Sequence, residues 1–379
     1  MLRLSNRIDN LKPSPIREIL SVIDKPGMIS FAGGLPALES MPKLGLEGIP
    51  QQYLQYGESA GELELRELIC ADMCREGLVC TADQVLILSG SQQGIDLVAK
   101  LFIDEGSAVA VESPTYLAAL QVFKLFGADF KSFNFSAKES PDAQNSLRLL
   151  YAIPTFQNPS GYCYSSEERQ DLADFCESNQ VPLFEDDPYR DLAFDSCCKT
   201  PVCSFMKEGT WIYQSSFSKT FVPGMRLGYM ISSNNLIKPL SRLKQAADLH
   251  SSRISQWLTI ALLTDKSRGR RLAQLREFYS KRRDTFAKSL DEHFADLATW
   301  QIPPGGLFFW LRLNRKIDLN EVLKKALKLN VAFMPQDHFF SNNECDAALD
   351  SYLRLNLSYA NEEDAQRGLT ILANLIRNT

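Results

Sequence analysis

The 379-residue sequence lacks the features that mark several large classes of protein. No apolar run approaches the roughly 18 residues that a transmembrane helix needs. Residues 1–10 contain no apolar core of the kind found in a signal peptide. Only three histidines are present, and none of the nine cysteines forms a CxxC pair. Structural zinc sites are built from such residues, so we expect no metal.

The sequence also lacks an excess of charge of either sign. Lysine and arginine number 41 against 46 aspartates and glutamates, the net charge is −5, and both signs are mixed along the chain. We therefore expect neither nucleic acid nor a membrane surface as a partner. An odd number of cysteines at irregular spacings, without a secretion signal, indicates reduced thiols and a cytoplasmic protein.

Between residues 80 and 232 the sequence alternates short apolar runs with helical periods. The predicted strands are Val85–Ser89, Ala108–Glu112, Leu149–Pro154, Pro182–Glu185, Trp211–Gln214 and Gly228–Ile231. One predicted helix, Glu167–Asn179, is preceded by a capping-box pattern from Ser165 to Glu168. This alternation favours a largely parallel, doubly wound sheet.

The two ends of the chain follow other patterns. Residues 1 to about 30 predict an arm, after which Gly33 and Gly34 indicate either a loop with positive φ or a close approach of backbone to a ligand. Residues 233 to 300 predict helices. The remaining predicted elements form a small α+β lobe: strand Leu307–Leu313, helix Asn320–Leu329, strands Val331–Met334 and Ser351–Tyr359, and a helix capped by Asn361.

Ligands of doubly wound sheets bind outside the carboxyl ends of the strands. Polar segments that are not expected to pack in a core follow five successive predicted strands: Gly90–Gly94, Ser113–Tyr116, Thr155–Gly161, Asp186–Tyr189 and the segment around Lys219. These residues would converge on one edge of the sheet, which predicts an active site there.

Lys219 is the central candidate because it lies among hydroxyl residues, shortly before a Pro-Gly turn and Arg226. A lysine in this setting can hold a phosphate, or it can attack a carbonyl once its pKa is lowered. The sequence does not fit a P-loop, because Ser218 stands where that motif requires glycine.

The neighbouring candidates suit a phosphorylated aromatic cofactor. The turn Ser89–Gly94 opens a helix whose free N–H groups can bind phosphate, and Arg226 could complete the phosphate shell. Asp186 and Asp187 follow an apolar strand, where an acid is a helix cap, part of a buried ion pair, or the partner of a protonated ring nitrogen. A flat ring and two hydrogen-bonding groups come from Tyr116, Asn158 and Tyr189. With an imine-forming lysine, this set indicates pyridoxal phosphate.

Five motifs, taken together and in this order along the chain, resemble those of a known protein family. They are Ser89-Gly-Ser-Gln-Gln-Gly94, Asn158-Pro-Ser-Gly161, Asp186-Asp-Pro-Tyr189, Ser216-Phe-Ser-Lys-Thr-Phe-Val-Pro-Gly-Met-Arg226 and Arg354-Leu-Asn-Leu-Ser358. The combination resembles the fold-type I pyridoxal-phosphate-dependent aminotransferases of class I/II, in particular the 2-aminoadipate/kynurenine aminotransferase-like subgroup. Three further segments match that subgroup: Pro13–Arg17, Phe31–Pro36 and Tyr56–Gly61. The matching region begins near residue 13, so we expect no preceding DNA-binding domain of the kind that regulators with this fold carry.

The resemblance implies an α/β fold with two domains and a homodimer whose subunits share their active sites. A mostly parallel seven-stranded sheet flanked by helices would form the large domain, at residues 41–274. The N-terminal arm, residues 1–40, and the C-terminal third, residues 275–379, would form a smaller α+β domain.

The resemblance also implies a role for each candidate residue. Lys219 would form the internal aldimine and move the substrate proton, Asp186 would pair with the pyridinium nitrogen, and Asp187 would be only a neighbour. Tyr189 and Asn158 would bind the phenolic oxygen of the cofactor, and Tyr116 would stack on its ring. The phosphate would be held by Ser91, Gln92, Ser216, Ser218 and Arg226, with Tyr56 of the second subunit. The substrate would be held by Arg354, Asn158, Gly34 and Arg17.

The expected activity is ping-pong transamination between an L-amino acid and a 2-oxo acid, with glutamate and 2-oxoglutarate as one pair. Two alternatives stay open on the sequence. One is a lyase or decarboxylase on the same scaffold, and the other is a non-catalytic interaction protein that binds pyridoxal phosphate. No residue of the expected pocket wall identifies the substrate side chain.

Overall fold

The computed structural model describes residues 5, 7–8, 26–42, 47–134, 139, 146–341 and 351–379. Its strands are β1 (Ile29–Ser30), β2 (Val85–Leu88), β3 (Ala108–Glu112), β4 (Asp129–Phe133), β5 (Leu149–Ala152), β6 (Leu183–Asp186), β7 (Trp211–Ser216), β8 (Gly228–Ser232), β9 (Ala298–Thr299), β10 (Phe308–Leu313), β11 (Val331–Ala332), β12 (Met334–Pro335) and β13 (Tyr352–Asn356).

The α-helices are α1 (Leu63–Arg75), α2 (Ser91–Phe102), α3 (Leu117–Leu125), α4 (Ser166–Ser178), α5 (Ile237–Asp248), α6 (Arg253–Thr264), α7 (Arg268–Phe294), α8 (Leu319–Lys328) and α9 (Glu362–Arg377). None of the helices in the described part of the chain is both long and apolar enough to cross a membrane.

The largest sheet has seven strands in the order β2-β8-β7-β6-β5-β3-β4. β8 runs antiparallel to both β2 and β7, and the other pairings are parallel. The predicted mostly parallel, seven-stranded α/β fold is therefore confirmed, and each of its predicted strands is present with its ends shifted by at most a few residues.

β4 was missed by the sequence reasoning because its composition is that of an edge strand. It reads Asp-Phe-Lys-Ser-Phe, and only Phe130 and Phe133 are buried. The strand lies at the end of the sheet, where one side has no neighbour and fewer apolar residues are needed.

The central strands are mostly apolar, with polar residues toward the carboxyl ends of β6 and β7, because helices cover both faces of the sheet. In β5, Leu149 and Tyr151 pack into the core on one face, while Leu150 and Ala152 pack into the core on the other. Successive side chains of a strand point to opposite faces, so a strand buried on both sides reads as a continuous apolar run.

Helix starts agree with their capping signals. The Ser165 side chain accepts a hydrogen bond from the Glu168 N–H, and the Glu168 carboxylate accepts from the Ser165 N–H, which is the predicted capping box of α4. At α9, the Asn361 side chain accepts from the Asp364 N–H, as predicted.

The chain ends meet in a second core. A four-stranded antiparallel sheet has the order β12-β13-β10-β9, and β1 pairs in parallel with β11. The predicted strand Val331–Met334 is thus divided between two sheets. Helix α7 runs without a break past residue 274, so the predicted domain boundary falls inside a helix. That division of the chain stays a prediction.

Candidate active site

A cavity of about 200 Å³ lies beyond the carboxyl ends of β3, β5, β6 and β7. Every predicted cofactor-binding residue except Tyr56 lines this cavity. These residues are Ser91, Gln92, Tyr116, Asn158, Asp186, Tyr189, Ser216, Ser218, Lys219 and Arg226. Five segments that are distant in the chain therefore meet at one edge of the sheet, because parallel strands all end there.

Lys219 follows the end of β7 and reaches back toward the N-terminal segment. Its Nζ donates a hydrogen bond to the Gly34 carbonyl at 2.9 Å. Burial, followed by the nearby Arg226 and Arg354, lowers the pKa of Lys219 to about 8. A lysine that is partly neutral near physiological pH is a competent nucleophile and proton acceptor.

Asp186 is the last residue of β6 and is buried between two neighbouring strands. The Tyr151 hydroxyl on β5 donates to its carboxylate at 2.9 Å, and the Gln214 amide on β7 donates at 3.1 Å. Burial raises the pKa of Asp186 to about 6 despite these two bonds. An acid in this state favours a positively charged partner in the cavity.

Asp187 faces away from the cavity and forms a buried ion pair, which is one of the roles that the sequence allows for an acid at this strand end. The Tyr213 hydroxyl donates to its carboxylate at 3.0 Å, and Arg190 lies 3.7 Å away. Adjacent residues at a strand end point in opposite directions, so one aspartate reaches the cavity and the other the core.

The start of helix α2 offers an anion site. Gly90, the residue before the helix, has φ = 81°, and no side chain among the described residues caps the helix. A Cβ at Gly90 would lie 2.5 Å from Nη2 of Arg226, so the guanidinium packs directly on this turn. Free N–H groups, the helix dipole and a cation thus meet beside Ser91 and Gln92.

Arg354 is buried on β13 with no carboxylate partner among the residues that the structure describes. Its Nη1 donates to Asn158 Oδ1 at 2.7 Å, its Nη2 donates to the Ala32 carbonyl, and its Nε has no partner within the described part of the chain. The Phe308 and Phe339 rings flank the guanidinium at 4.2 and 4.9 Å. Burial lowers the pKa of Arg354 to about 10.

The aromatic candidates lie on the cavity wall. Tyr189 is hydrogen-bonded to Asn158, and burial raises the pKa of its hydroxyl. Its ring meets Phe308 edge to face at 5.7 Å. Tyr116 precedes helix α3, and burial raises the pKa of its hydroxyl to about 12, so both phenols stay neutral and can donate.

Three predicted contributors are placed differently from the rest. Tyr56 is 76% exposed, packs edge-on against His250 and does not line this cavity. Arg17 lies outside the described residues. Gly34 contributes its carbonyl and has no positive φ, and a Cβ there would lie 3.1 Å from the Phe308 ring, so the backbone packs closely on a side chain and its approach to a ligand stays a prediction.

The sequence reasoning missed four residues that shape the site. Tyr151 and Gln214 flank Asp186, and the only available signal was a polar group at the end of an apolar strand. Phe308 and Phe339 flank Arg354, and nothing in their apolar segments separates them from ordinary core residues.

The charges of the site fit pyridoxal phosphate. Lys219, Arg226 and Arg354 are cations without a carboxylate within 4 Å in the described part of the chain, whereas Asp186 is a buried acid without a cation at that distance. The three cations can accommodate a phosphate and a substrate carboxylate. The acid can accommodate a protonated ring nitrogen at the opposite end of the cavity.

A second cavity, of about 450 Å³, lies behind the Lys219 segment. Its arginines are largely satisfied: Arg268 pairs with Asp72, and Arg190 donates to Glu76 at 2.9 Å. It contains neither Lys219 nor Asp186.

The comparisons with known proteins agree with this geometry. The family model described as aminotransferase class I and II matches residues 29–372, which is most of the chain. The chain belongs to this family. The aromatic-amino-acid aminotransferase 1 of Thermococcus litoralis is 33% identical to this aminotransferase, over 98% of this chain and 94% of the relative.

Two solved structures are also similar. One is LysN, the alpha-aminoadipate aminotransferase of Thermus thermophilus complexed with N-(5'-phosphopyridoxyl)-L-leucine, with a TM-score of 0.88 and 31% identity over 99% of this chain and 97% of LysN. The other is the kynurenine aminotransferase of Pyrococcus horikoshii in complex with PMP, with a TM-score of 0.89 and 28% identity over 99% and 97% of the chains. The protein is an aminotransferase, and its cofactor is pyridoxal 5'-phosphate.

Proposed function

We propose that this aminotransferase transfers an amino group from an L-amino acid to a 2-oxo acid by a ping-pong mechanism, with glutamate and 2-oxoglutarate as one pair. The observation that supports this most is that Lys219 and Asp186 line one cavity, while Arg354 is hydrogen-bonded to Asn158 on the wall of that cavity. These residues come from distant parts of the chain and have the three charges that the reaction needs.

Lys219 is the proposed covalent attachment point and proton carrier. When bound, pyridoxal phosphate supplies an electron sink that weakens the bonds at the substrate Cα. The Lys219 amine lines the cavity, where as a free base it would accept the proton from the substrate Cα. Its lowered pKa suits this exchange, because proton transfer is most efficient when the pKa lies near the working pH.

Asp186 would hold the protonated ring nitrogen of the cofactor. Its carboxylate is fixed by Tyr151 and Gln214, so it stays aimed at the cavity. Tyr189 and Asn158 would bind the phenolic oxygen, and Tyr116 would pack against the ring. The phosphate would be held by the turn at Ser91 and Gln92 with Ser216, Ser218 and Arg226.

Arg354 binds the substrate α-carboxylate as a two-pronged donor, with Asn158 assisting. Its hydrogen bond to Asn158 and its two flanking rings fix the plane of the guanidinium. A carboxylate held in this way is retained, which favours cleavage of the Cα–H bond over loss of the carboxylate. The geometry therefore supports transamination rather than decarboxylation.

The assembly is part of the same proposal. Tyr56 would reach the phosphate of a second subunit, which agrees with its exposure and its distance from the cavity of its own chain. Gly34 and Arg17 would close over the substrate from the N-terminal side. The cytoplasmic location and the domain limits at residues 40 and 274 stay predictions from the sequence.

The decisive test is the Lys219→Ala variant, with Lys100→Ala as a matched control. Lys100 is a surface lysine paired with Asp96 at 2.5 Å. Borohydride reduction of the holoenzyme followed by peptide mass spectrometry should place the phosphopyridoxyl group on Lys219 alone. Lys219→Ala should lose turnover by about 10³-fold or more, while Lys100→Ala keeps both attachment and turnover. Labelling of a different lysine would contradict the proposal.

Amino donors can be screened with 2-oxoglutarate as acceptor. The names of the similar proteins direct the first panel to aromatic amino acids, 2-aminoadipate and kynurenine. Formation of glutamate with the matching 2-oxo acid supports transamination. Release of pyruvate and ammonia from one amino acid without any acceptor would favour the lyase alternative.

A further inference from the structure

A buried acid at the end of β3 has no part in the site proposed above. Glu112 is the last residue of the strand, shares a face of the sheet with Ala110 and is 5% exposed. It pairs with no lysine or arginine among the residues that the structure describes. A buried carboxyl costs stability unless hydrogen bonds compensate for the lost water, so the partners of Glu112 indicate its role.

Both oxygens of Glu112 bind the segment that carries Asn158, which we call the β5–α4 turn (residues 153–164). Oε2 accepts from the Ile153 N–H at 2.7 Å, where the chain leaves β5. Oε1 accepts from the Tyr164 hydroxyl at 2.7 Å, where the chain approaches α4. These two hydrogen bonds, the Glu112 bridge, therefore hold both ends of the turn with one side chain.

A second contact binds the middle of the β5–α4 turn to the same segment of the chain. The Gln157 side-chain nitrogen donates to the Pro114 carbonyl at 2.6 Å, two residues after Glu112. The Gln157 side-chain oxygen accepts from the Ser160 N–H at 2.9 Å, so this side chain also stabilises the turn from within. Tyr116, on the cavity wall, follows in the same segment. The relative position of two walls of the cavity therefore depends on these contacts.

The position of the β5–α4 turn matters because Asn158 orients Arg354. The Asn158 Oδ1 accepts from Nη1 of Arg354 at 2.7 Å, and Asn158 itself lines the cavity. A shift of the turn would therefore move the group that holds the guanidinium plane. Misplacing a binding group by about 1 Å can cost about 100-fold in rate.

Glu112 is expected to act as a neutral group. Burial raises the pKa of Glu112 to about 8, although its hydrogen bonds act in the opposite direction. The carboxyl therefore keeps its proton near neutral pH. A carboxamide has the same shape and is also neutral: its oxygen can accept from the Ile153 N–H, and its nitrogen can donate to the Tyr164 oxygen. Glutamine should therefore replace Glu112 without breaking the bridge.

We propose that Glu112 is a positioning residue for transamination, which holds both ends of the β5–α4 turn so that Asn158 keeps Arg354 oriented toward the substrate carboxylate. Glu112 does not line the cavity and acts only through the turn. The positioning role rests on the proposed function, because that function makes Arg354 the carboxylate site. The Glu112 bridge itself does not depend on it.

Amide hydrogen exchange of the holoenzyme, followed by peptide mass spectrometry, tests the bridge without reference to activity. Glu112→Ala removes both acceptors, so the peptide that spans the β5–α4 turn should exchange about tenfold faster or more. Glu112→Gln should exchange as the wild type does. The matched control is Asn361→Ala, which removes the N-cap of the distant helix α9 and should leave exchange in the turn unchanged.

Steady-state kinetics of the same variants test the positioning role. Glu112→Ala should lower kcat/KM by about tenfold or more for the amino donor and for 2-oxoglutarate. The loss should lie mainly in KM, because the carboxylate of either substrate would meet a misaligned Arg354. Glu112→Gln should restore most of kcat/KM. Asn361→Ala should keep both constants below its melting temperature, and an equal loss there would show that lowered stability alone is the cause.

Tyr164→Phe decides the question if Glu112→Ala does not fold. It removes one of the two hydrogen bonds, so it should speed exchange in the turn and lower kcat/KM by about fivefold. Wild-type exchange and kinetics in Tyr164→Phe would overturn the inference, as would a Glu112→Gln variant as impaired as Glu112→Ala. Faster exchange with unchanged KM would overturn the positioning role. A wild-type enzyme without transamination would instead contradict the proposed function, while hydrogen exchange would still decide the bridge.

Discussion

At the scale of single residues, two adjacent aspartates have different roles because a strand end points them in opposite directions. Asp186 faces the cavity and accepts hydrogen bonds from Tyr151 and Gln214, whereas Asp187 faces Tyr213 and Arg190. The apolar pattern alone places both acids at the strand end without distinguishing them, and the resemblance assigns the role to Asp186. The register of β6 between β5 and β7 decides which acid faces the cavity.

Removing the charge of Asp186 should lower the rate of catalysis without creating a cavity in the core. Asp186→Asn keeps the size of the side chain, but it cannot stabilise a positive ring nitrogen as a carboxylate does. We expect turnover to fall by about 100-fold or more. Tyr151→Phe removes one hydrogen bond to the same carboxylate and should cost about tenfold. Steady-state assays of both variants, with thermal melts to check folding, give the comparison. Full activity in Asp186→Asn would assign the role to another acid.

The ionisation of Lys219 should control how fast the cofactor-free enzyme takes up pyridoxal phosphate. Its lowered pKa, about 8, is the result of burial and then of Arg226 and Arg354, with Asp186 acting in the opposite direction. Only the neutral amine attacks, so the rate should rise about tenfold per pH unit below 8 and level off above it. Stopped-flow absorbance measures this rate from about pH 6 to about pH 10, a range that brackets the expected pKa.

Substitutions of Arg354 provide the control for that profile. Arg354→Leu removes a cation that disfavours protonated Lys219, so the inflection should move to higher pH. Arg354→Lys keeps the charge and should leave the inflection in place. An inflection that stays near 8 in both variants would show that Arg354 does not affect Lys219.

At the scale of elements, the site is made of strand ends and the turns that follow them. The alternation of apolar runs with helical periods predicted these strands because each strand is buried on both faces. Helices α4 and α9 were predictable because their N-terminal capping residues can be recognised from the sequence. Strand β4 and the division of Val331–Met334 between two sheets were not predictable in this way. Edge position and sheet assignment depend on contacts between distant segments, which local periodicity does not contain.

The turn before helix α2 gives a prediction about cofactor affinity. Gly90 and Gly106 both have positive φ, at 81° and 80°, but a Cβ at Gly90 would strike Arg226 whereas a Cβ at Gly106 meets nothing within 4 Å. Both Gly→Ala variants should lose about 1–2 kcal/mol of stability because of the left-handed backbone. Only Gly90→Ala should also raise the dissociation constant of pyridoxal phosphate, by displacing the guanidinium. Thermal melts and cofactor titrations of the two variants separate the effects, and equal cofactor affinity would contradict the proposed phosphate site.

At the scale of the whole molecule, Tyr56 is the residue that a single chain leaves without a role. It is 76% exposed beside His250, although its motif predicts a phosphate contact. The backbone carbonyls of Gln55 and Tyr56 each accept from Arg253 at 3.2 Å, so the loop has a defined position on the surface. A second subunit that places its cavity against this loop would explain both the defined position of the loop and the exposure of Tyr56.

Hybrid dimers test this arrangement. In a dimer of Tyr56→Ala and Lys219→Ala subunits, the first subunit keeps its lysine and receives Tyr56 from the second, so one of the two sites is intact. We expect such hybrids, co-expressed with different tags and purified for both, to have about half of wild-type turnover at limiting cofactor. Each parent homodimer should have far less. A hybrid no more active than its parents would place Tyr56 outside the shared site.

The pairing of the two chain ends also affects how the protein is made. Ile29–Ser30 pairs with Val331–Ala332, Ala32 is bound by Arg354, and Lys219 is bound by Gly34 of the same N-terminal segment. Two of these partners, Val331–Ala332 and Arg354, lie about three hundred residues downstream, so a ribosome releases the early segment long before they exist. The nascent chain can build its central sheet during synthesis, yet Arg354 can reach Ala32 and Asn158 only once β13 has been made. We therefore expect the complete active site to form only near the end of synthesis.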